Sequence, residues 1–161
     1  MLRVGLGFDI HAFADPAAGR RLVLGGVEFP GENGLAGHSD ADVLLHSICD
    51  AVLGALGMGD LGRHFPDDDP HLKDVSSLLL LEKVASLMRG QGYRLINVDT
   101  VVIAQQPRIA PYVEQMKKCI AAALGATQHE VNVKGTSPEG VGSLGRKDGI
   151  AAEAIALIGR I

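Results

Sequence analysis

Asp9 and His11 stand two positions apart at the end of a short Leu- and Val-containing run, Arg3 to Phe8. On an extended strand, side chains two apart leave the same face. A third candidate, His46, lies in a stretch where Leu45, Ile48, Val52 and Leu56 recur at three- and four-residue steps, the spacing of an amphipathic helix. Asp42 and Asp50 flank it one turn away on each side, which predicts an Asp-His-Asp stripe opposite the apolar face. One carboxylate and two imidazoles carried by two rigid elements suit a zinc ion with an open fourth position, the arrangement of catalytic sites. The flanking carboxylates are then expected to accept from the free ring N–H of His46. The same residues also fit a solvated helix face beside a strand in which Asp-x-His arises by chance, and spacing alone leaves both readings open.

Two further segments carry phosphate-binding residue types. His38, in Gly37-His38-Ser39-Asp40-Ala41-Asp42, precedes the helix, where backbone N–H groups favour anions; it also fits a plain turn with a capping serine. Lys134 to Arg146 is a run of glycines and hydroxyls with a base at each end. Such a loop can offer N–H and O–H groups to a phosphate chain, although it is not a P-loop and glycine-rich loops are common. Asp67-Asp68-Asp69 is an acidic cluster that equally fits a solvated loop tip.

Arg3 to Phe8 and Arg21 to Val27 read as strands forming a hairpin. After a turn at Gly31 to Gly34, Ser39 with Asp42 partly matches a capping box for a helix ending at Gly57. Gly59 to Lys73 reads as a long loop of the kind that carries function. Asp74 is expected to cap a helix to about Arg89. Tyr93 to Ala104 reads as a central strand with both faces mostly apolar. Ile109 to Gly125 reads as a helix and Val131 to Lys134 as a strand. Gly149 to Ile158 reads as a strand, although Ala151 to Ile158 favours helix by propensity. The alternation predicts one α/β domain over residues 1–161, an α+β sandwich with one sheet and a layer of helices on one face.

Composition bounds the partners. The 161 residues are 47% hydrophobic and 21% charged, enough for a packed core. The net charge of −4, with no block of Lys or Arg, argues against nucleic acid. No apolar run approaches the roughly 20 residues of a spanning helix. Two distant cysteines, Cys49 and Cys119, give neither a disulfide scaffold nor a CxxC pair. The N-terminal stretch lacks signal-peptide organisation, so a cytoplasmic protein is expected. Glycine is unusually frequent at 21 residues, which predicts places where backbone approaches something closely.

Several blocks, in order, resemble a known family: Gly7-Phe8-Asp9-Ile10-His11-Ala12-Phe13, Gly37 to His46, Gly59-Asp60-Leu61-Gly62, Phe65-Pro66-Asp67-Asp68-Asp69-Pro70, Asn97-Val98-Asp99, Ala104-Gln105-Gln106-Pro107-Arg108 and Val131-Asn132-Val133-Lys134. They are similar to the 2-C-methyl-D-erythritol 2,4-cyclodiphosphate synthase family over almost the whole chain. The resemblance implies an enzyme of the non-mevalonate isoprenoid pathway, a homotrimer with active sites between subunits. It would form the cyclic diphosphate from 4-diphosphocytidyl-2-C-methyl-D-erythritol 2-phosphate and release CMP.

By this resemblance Asp9, His11 and His46 ligate zinc, and Glu139 holds a second ion, Mg2+ or Mn2+. Asp9, Ile10 and His11 border the substrate, and His38 and Ser39 meet its phosphate. Asp60, Leu61, Gly62, Phe65, Pro66, Asp67, Asp68 and Asp69 surround the methylerythritol part. Ala104, Gln105, Gln106, Pro107, Arg108, Ile109 and Ala110, with Thr136, Ser137, Pro138 and Glu139, hold cytidine and its diphosphate. His38 and Ser137 are the expected catalytic donors. Ser137 stands where threonine is more common and Pro138 where Thr or Ser is usual. Ser143 stands where phenylalanine is usual near the trimer axis, with Arg146 beside it, at a cavity that can hold an isoprenoid diphosphate. A zinc-dependent phosphohydrolase and a non-catalytic nucleotide-binding module are the alternative function classes.

Overall fold

The computed structural model describes all residues, Met1–Ile161. The first strand, β1 (Leu2–Ala12), is followed by a separate hairpin of β2 (Arg21–Leu24) and β3 (Val27–Asn33). Then come α1 (Val43–Leu56), the single turn α2 (Leu61–His64), α3 (Ser77–Gly90) and β4 (Tyr93–Ile103). The chain ends with α4 (Val113–Leu124), β5 (Val131–Thr136), the one-turn α5 (Gly142–Gly145) and β6 (Gly149–Arg160). Four strands form the main sheet in the order β1-β6-β4-β5, with β6 antiparallel to both neighbours and β4 parallel to β5. The long helices cover one face, as expected.

One trough of small residues organises that face. Gly5 pairs with Ala156 and Gly7 with Ala154, and these alanines in turn pair with Val98 and Thr100 of β4. A Cβ on Gly5 would lie 1.9 Å from the Ala51 carbonyl oxygen, and one on Gly7 1.9 Å from that of Ser47. Helix α1 therefore lies almost on the backbone of β1, an approach that only glycine permits. Asp9 and His11 continue the same face of β1, so the same close packing brings His46 over them.

The trough also explains why the last segment is a strand. Ala152, Ala154 and Ala156 are buried against α1, where a larger side chain would lift the helix; tertiary packing overrides their helix propensity. The opposite face of the sheet is open. Val4, Leu6, Phe8 and Ile10 on β1 are 49 to 67% exposed, and Ile155 of β6 pairs with Leu6 beside them.

Several local expectations are corrected. The first strand pairs with the last, not with Arg21 to Val27, and the latter segment is itself a hairpin turning at Gly25 and Gly26, which both have positive φ. The strand β3 runs through Gly31, where a turn was expected. Asp42, not Ser39, caps α1 by accepting from Leu45 N. Helix α3 begins after Ser76, and Asp74 lies before it with φ 56°. The expected long loop contains α2 and a one-turn 3-10 helix at Pro70–Leu72. Strand β4 is interior, but only its helix-side face is fully buried.

Candidate active site: a metal cleft and a nucleoside-sized cleft

At the end of β1, Asp9 Oδ2 lies 3.0 Å from His11 Nε2 and 3.0 Å from His46 Nδ1. The three candidate ligand atoms all lie within 4.8 Å of one another, a spacing one metal ion can bridge. The other ring nitrogens are engaged. His11 Nδ1 donates to the Ala36 carbonyl at 2.6 Å, which leaves Nε2 facing the centre. His46 Nε2 meets the hydroxyls of Ser77 at 2.9 Å and Ser39 at 3.2 Å. The carboxylate and the two rings with their outer partners form a donor set that fits a zinc ion.

The electrostatics follow from these contacts. Burial alone would raise the Asp9 pKa, but hydrogen bonds and charge from His11 and His46 outweigh it and hold the carboxyl well below its usual range. The hydrogen bond with Asp9 raises the His11 pKa, against the opposing effect of burial. Burial raises that of Asp50, opposed by its hydrogen bond from Leu61 N. Asp42 is pushed up to about 6 by complete burial, and then by the charge of Asp40, although it accepts from Gly25 N, Gly26 N and Leu45 N.

Asp42 is thus a strut between the β2–β3 turn and α1, not part of a functional stripe. The expected second-sphere role of Asp42 and Asp50 is also corrected: the partners of His46 are the two serines, because His46 is buried between the segments that carry them. Asp50 instead accepts from Leu61 N at 2.7 Å and anchors α2 to α1.

The triad lies in a cleft of about 490 Å3 whose walls include His38, Ser39, Asp50, Asp60, Leu61, Gly62, Phe65 and Asp67. His38 Nε2 meets the Asp69 carbonyl at 2.9 Å, tying the two loops together. Asp60 caps α2 by accepting from Arg63 N at 2.9 Å. Four candidate residues do not line this cleft. Ile10 points to the opposite face of the sheet, Pro66 and Asp68 are exposed, and the Asp69 side chain caps the turn at His71 N.

A second cleft, also about 490 Å3, opens at the C-terminal ends of the parallel strands β4 and β5. Ala104, Gln105, Pro107, Arg108, Ile109, Ala110, Thr136 and Ser137 line it; Gln106, Pro138 and Glu139 do not. The Gln106–Pro107 peptide is cis. Gln105 Oε1 accepts from Gly140 N at 2.9 Å, and Ser137 Oγ accepts from Glu139 N at 3.0 Å, so the loop after β5 is tied to the segment after β4.

Lys134 and Gly135 open the run that residue types marked as able to bind phosphate, although the resemblance did not name them, and both line this cleft. Their position immediately before Thr136 on the strand was the available signal. Ser143 and Arg146 line neither of these two clefts; Arg146 is exposed and pairs with Asp148 at 3.2 Å.

Comparison with known proteins adds an independent observation. The profile of the YgbB family matches residues 2–159. A 2-C-methyl-D-erythritol 2,4-cyclodiphosphate synthase of Syntrophomonas wolfei is 55% identical over 157 residues, covering 98% of both chains. One from Geobacillus thermodenitrificans is 54% identical over 158 residues, covering 98% of this chain and 97% of its own. Among solved structures, Plasmodium falciparum IspF in its CDP complex superposes with a TM-score of 0.86 at 34% identity, over 99% of this chain and 96% of that one.

Proposed function

The chain belongs to the YgbB family, and with it to the 2-C-methyl-D-erythritol 2,4-cyclodiphosphate synthases of the non-mevalonate isoprenoid pathway; from that premise we propose how its two clefts share the reaction. The substrate is 4-diphosphocytidyl-2-C-methyl-D-erythritol 2-phosphate. An oxygen of its 2-phosphate attacks the diphosphate phosphorus nearer the erythritol, a new phosphorus–oxygen bond closes the ring, and the bond to CMP breaks. No protein nucleophile is required. The chain's work is to fold a flexible polyanion so that the reacting atoms meet, and to stabilise charge on the phosphoryl oxygens.

In this reading Asp9, His11 and His46 hold zinc. Glu139, on the loop tied down by Gln105 and Ser137, holds Mg2+ or Mn2+. Bound there, these ions supply Lewis acidity to the attacked phosphate and neutralise the leaving CMP. His38 and Ser39 bind the 2-phosphate, and the Ser137 hydroxyl donates to an oxygen that gains charge. Asp60, with the Phe65 to Asp69 loop, accepts from the erythritol hydroxyls. The second cleft takes the cytidine.

Within one chain the two clefts share no lining residue. A homotrimer in which each metal cleft faces a neighbour's nucleoside cleft would complete the site, and the open apolar face of β1 and β6 is the kind of surface that such assembly covers. Ser143 at the axis would give up apolar contact with an isoprenoid tail, and Arg146 would still attract a small anion, shared with Asp148. The whole chain, residues 1–161, acts as one domain in the cytoplasm. No helix is long and apolar enough to cross a membrane.

The observation that carries the proposal is the convergence of Asp9, His11 and His46 in a cleft walled by the polar groups of His38, Ser39, Asp60 and Asp67. The deciding experiment incubates the protein with the cytidyl substrate and Mg2+ and follows phosphorus NMR. CMP with a cyclic diphosphate is expected; a ring-opened product would make it a phosphohydrolase instead. Light scattering should report three chains per particle.

A further inference from the structure

We infer that Asp40 and Ser77 act in series as positioning residues that fix the tautomer of His46, so that Nδ1 and not Nε2 offers its lone pair to the metal. This rests on the proposed reading of Asp9, His11 and His46 as a metal site.

Ser77 is the first residue of α3 and is fully buried. Its hydroxyl donates to Asp40 Oδ1, and its backbone N–H donates to Asp40 Oδ2 at 3.0 Å. Asp40 is itself held in place: its N–H donates to the Val75 carbonyl at 3.1 Å, and Asp42 N donates to Oδ1 at 3.3 Å. A carboxylate only accepts, so the single hydroxyl hydrogen of Ser77 is committed to Asp40. The Ser77 oxygen then presents lone pairs to His46 Nε2 at 2.9 Å.

A lone pair on Nε2 would face that oxygen across a buried contact with nothing between them, so Nε2 must carry hydrogen. The lone pair that a metal takes is then the one on Nδ1, the nitrogen 3.0 Å from Asp9 Oδ2 and turned toward His11, and binding replaces the hydrogen bond of that nitrogen with Asp9. Ser39 Oγ, at 3.2 Å from Nε2 and accepting from Ala41 N, adds a second, longer acceptor and does not by itself decide the tautomer. Asp40 and Ser77 are 37 positions apart in sequence and join the segment before α1 to the start of α3. The ring orientation therefore depends on how those two elements are docked.

The two substitutions that test this differ in kind. Ser77→Ala removes the acceptor. Asp40→Asn keeps shape but replaces one carboxylate oxygen by a donor; with the amide oxygen on Ser77 N, the NH2 group donates to the Ser77 hydroxyl and turns its hydrogen onto Nε2, which inverts the relay. Zinc affinity of the full chain is measured by chelator competition, and the ring nitrogens of His46 in the zinc-loaded protein by nitrogen-15 NMR. Thermal melting monitors the fold.

Each variant is expected to bind zinc roughly ten- to a hundredfold more weakly, with the hydrogen-bonded Nε2–H signal of His46 lost or displaced. Wild-type affinity and an unchanged Nε2–H signal in both variants overturn the relay, even if their melting temperatures fall, because a merely structural serine would lower stability alone. A wild-type chain that binds no zinc overturns the metal reading itself, and is distinguished from failure of the relay by that measurement.

Discussion

The two clefts have nearly the same volume, yet they are built on opposite plans. In the metal cleft the ligand rings are held by further partners behind them, His11 by the Ala36 carbonyl and His46 by Ser77. The second cleft combines the ends of β4 and β5 with the segments that follow them, and a single bond from Gly140 to Gln105 joins those segments. Gly135 has no side chain where a Cβ would lie 2.9 Å from Ile109. Reacting groups need placement within fractions of an ångström, whereas a base and ribose need a complementary surface. Asp9, His11 and His46 stand on β1 and α1, whereas the second cleft takes its residues between Ala104 and Ala110, and Ser137, from segments outside the strands.

If this division holds, His46→Ala should give the largest and most selective effect. Zinc content should collapse and turnover fall by about 10^3 or more, the scale of losing a preorganised electrostatic group. CDP affinity should stay within about twofold, since the nucleoside cleft shares no lining residue with the triad. Equilibrium dialysis beside metal analysis checks both. Equal losses in the two measurements would break the division.

A change in the scaffold alone should also reach the metal cleft. Gly7→Ala sets a Cβ 1.9 Å from the Ser47 carbonyl oxygen and 2.7 Å from Ala51 N. Helix α1 must shift, at about 1–3 kcal/mol or more of stability, and His46 shifts with it; a displacement near 1 Å costs roughly 10^2-fold in rate. Gly90→Ala, at a position with nothing within 4 Å, should be neutral or stabilising by up to about 1 kcal/mol. Denaturant melts and zinc titrations of the pair distinguish close approach from mere helix propensity. Unchanged zinc affinity in Gly7→Ala would detach the trough from the site.

These residues also mark what could be read from the sequence and what could not. Asp9 and His11 were legible because a strand's period of two needs no partner, and β1 obeys it. The surfeit of glycine signalled close approach, but not that Gly5 and Gly7 lie under α1, since that depends on pairing with a strand almost at the other end of the chain. Helical spacing around His46 gave Asp42 and Asp50 as partners. The true ones, Ser39 and Ser77, come from a loop and from another helix, and no local period encodes them. Asp42 was misread for the same reason: its buried role is set by the distant turn at Gly25 and Gly26. In the second cleft the Lys134 to Arg146 run was legible from its glycines, hydroxyls and bases, whereas Ala104 to Ala110 was known only by resemblance, because its residue types carry no chemistry of their own.

Acidity should act on one cleft and spare the other. The hydrogen bond with Asp9 holds the pKa of His11 above the ordinary 6.5, and a metal must displace that proton. Zinc affinity should therefore fall about tenfold per pH unit below the His11 pKa. Without metal the slopes reverse. The raised His11 contributes stability fully below 6.5 and loses it as pH rises through its folded value, whereas the depressed Asp9 contributes above 3.8 and loses it only in stronger acid. The metal-free protein should thus gain most from this pair between 3.8 and 6.5, where zinc is weakening. Melting curves with and without zinc across that window would show the two trends crossing. Cytidine affinity should stay flat from about pH 6 to 8, as neither histidine nor carboxylate lines its cleft.

The smallest effect belongs to Gln105→Ala. Its Oε1 accepts one exposed hydrogen bond, from Gly140 N, and by that bond the loop carrying Ser137 and Glu139 is held against the segment after β4. An exposed neutral hydrogen bond contributes about 0.5–1.5 kcal/mol, so CMP affinity should weaken by roughly two- to tenfold. The Mg2+ concentration for half-maximal rate should rise by a similar factor, because Glu139 stands next to the residue that is released. Zinc content and the rate at saturating substrate and Mg2+ should not change, since the loop still closes once ligand and ion supply the lost ordering. Titrating Mg2+ at fixed substrate separates these terms. A lowered saturating rate with normal Mg2+ dependence would mean that Gln105 acts on the reacting atoms, and that the second cleft is as finely positioned as the first.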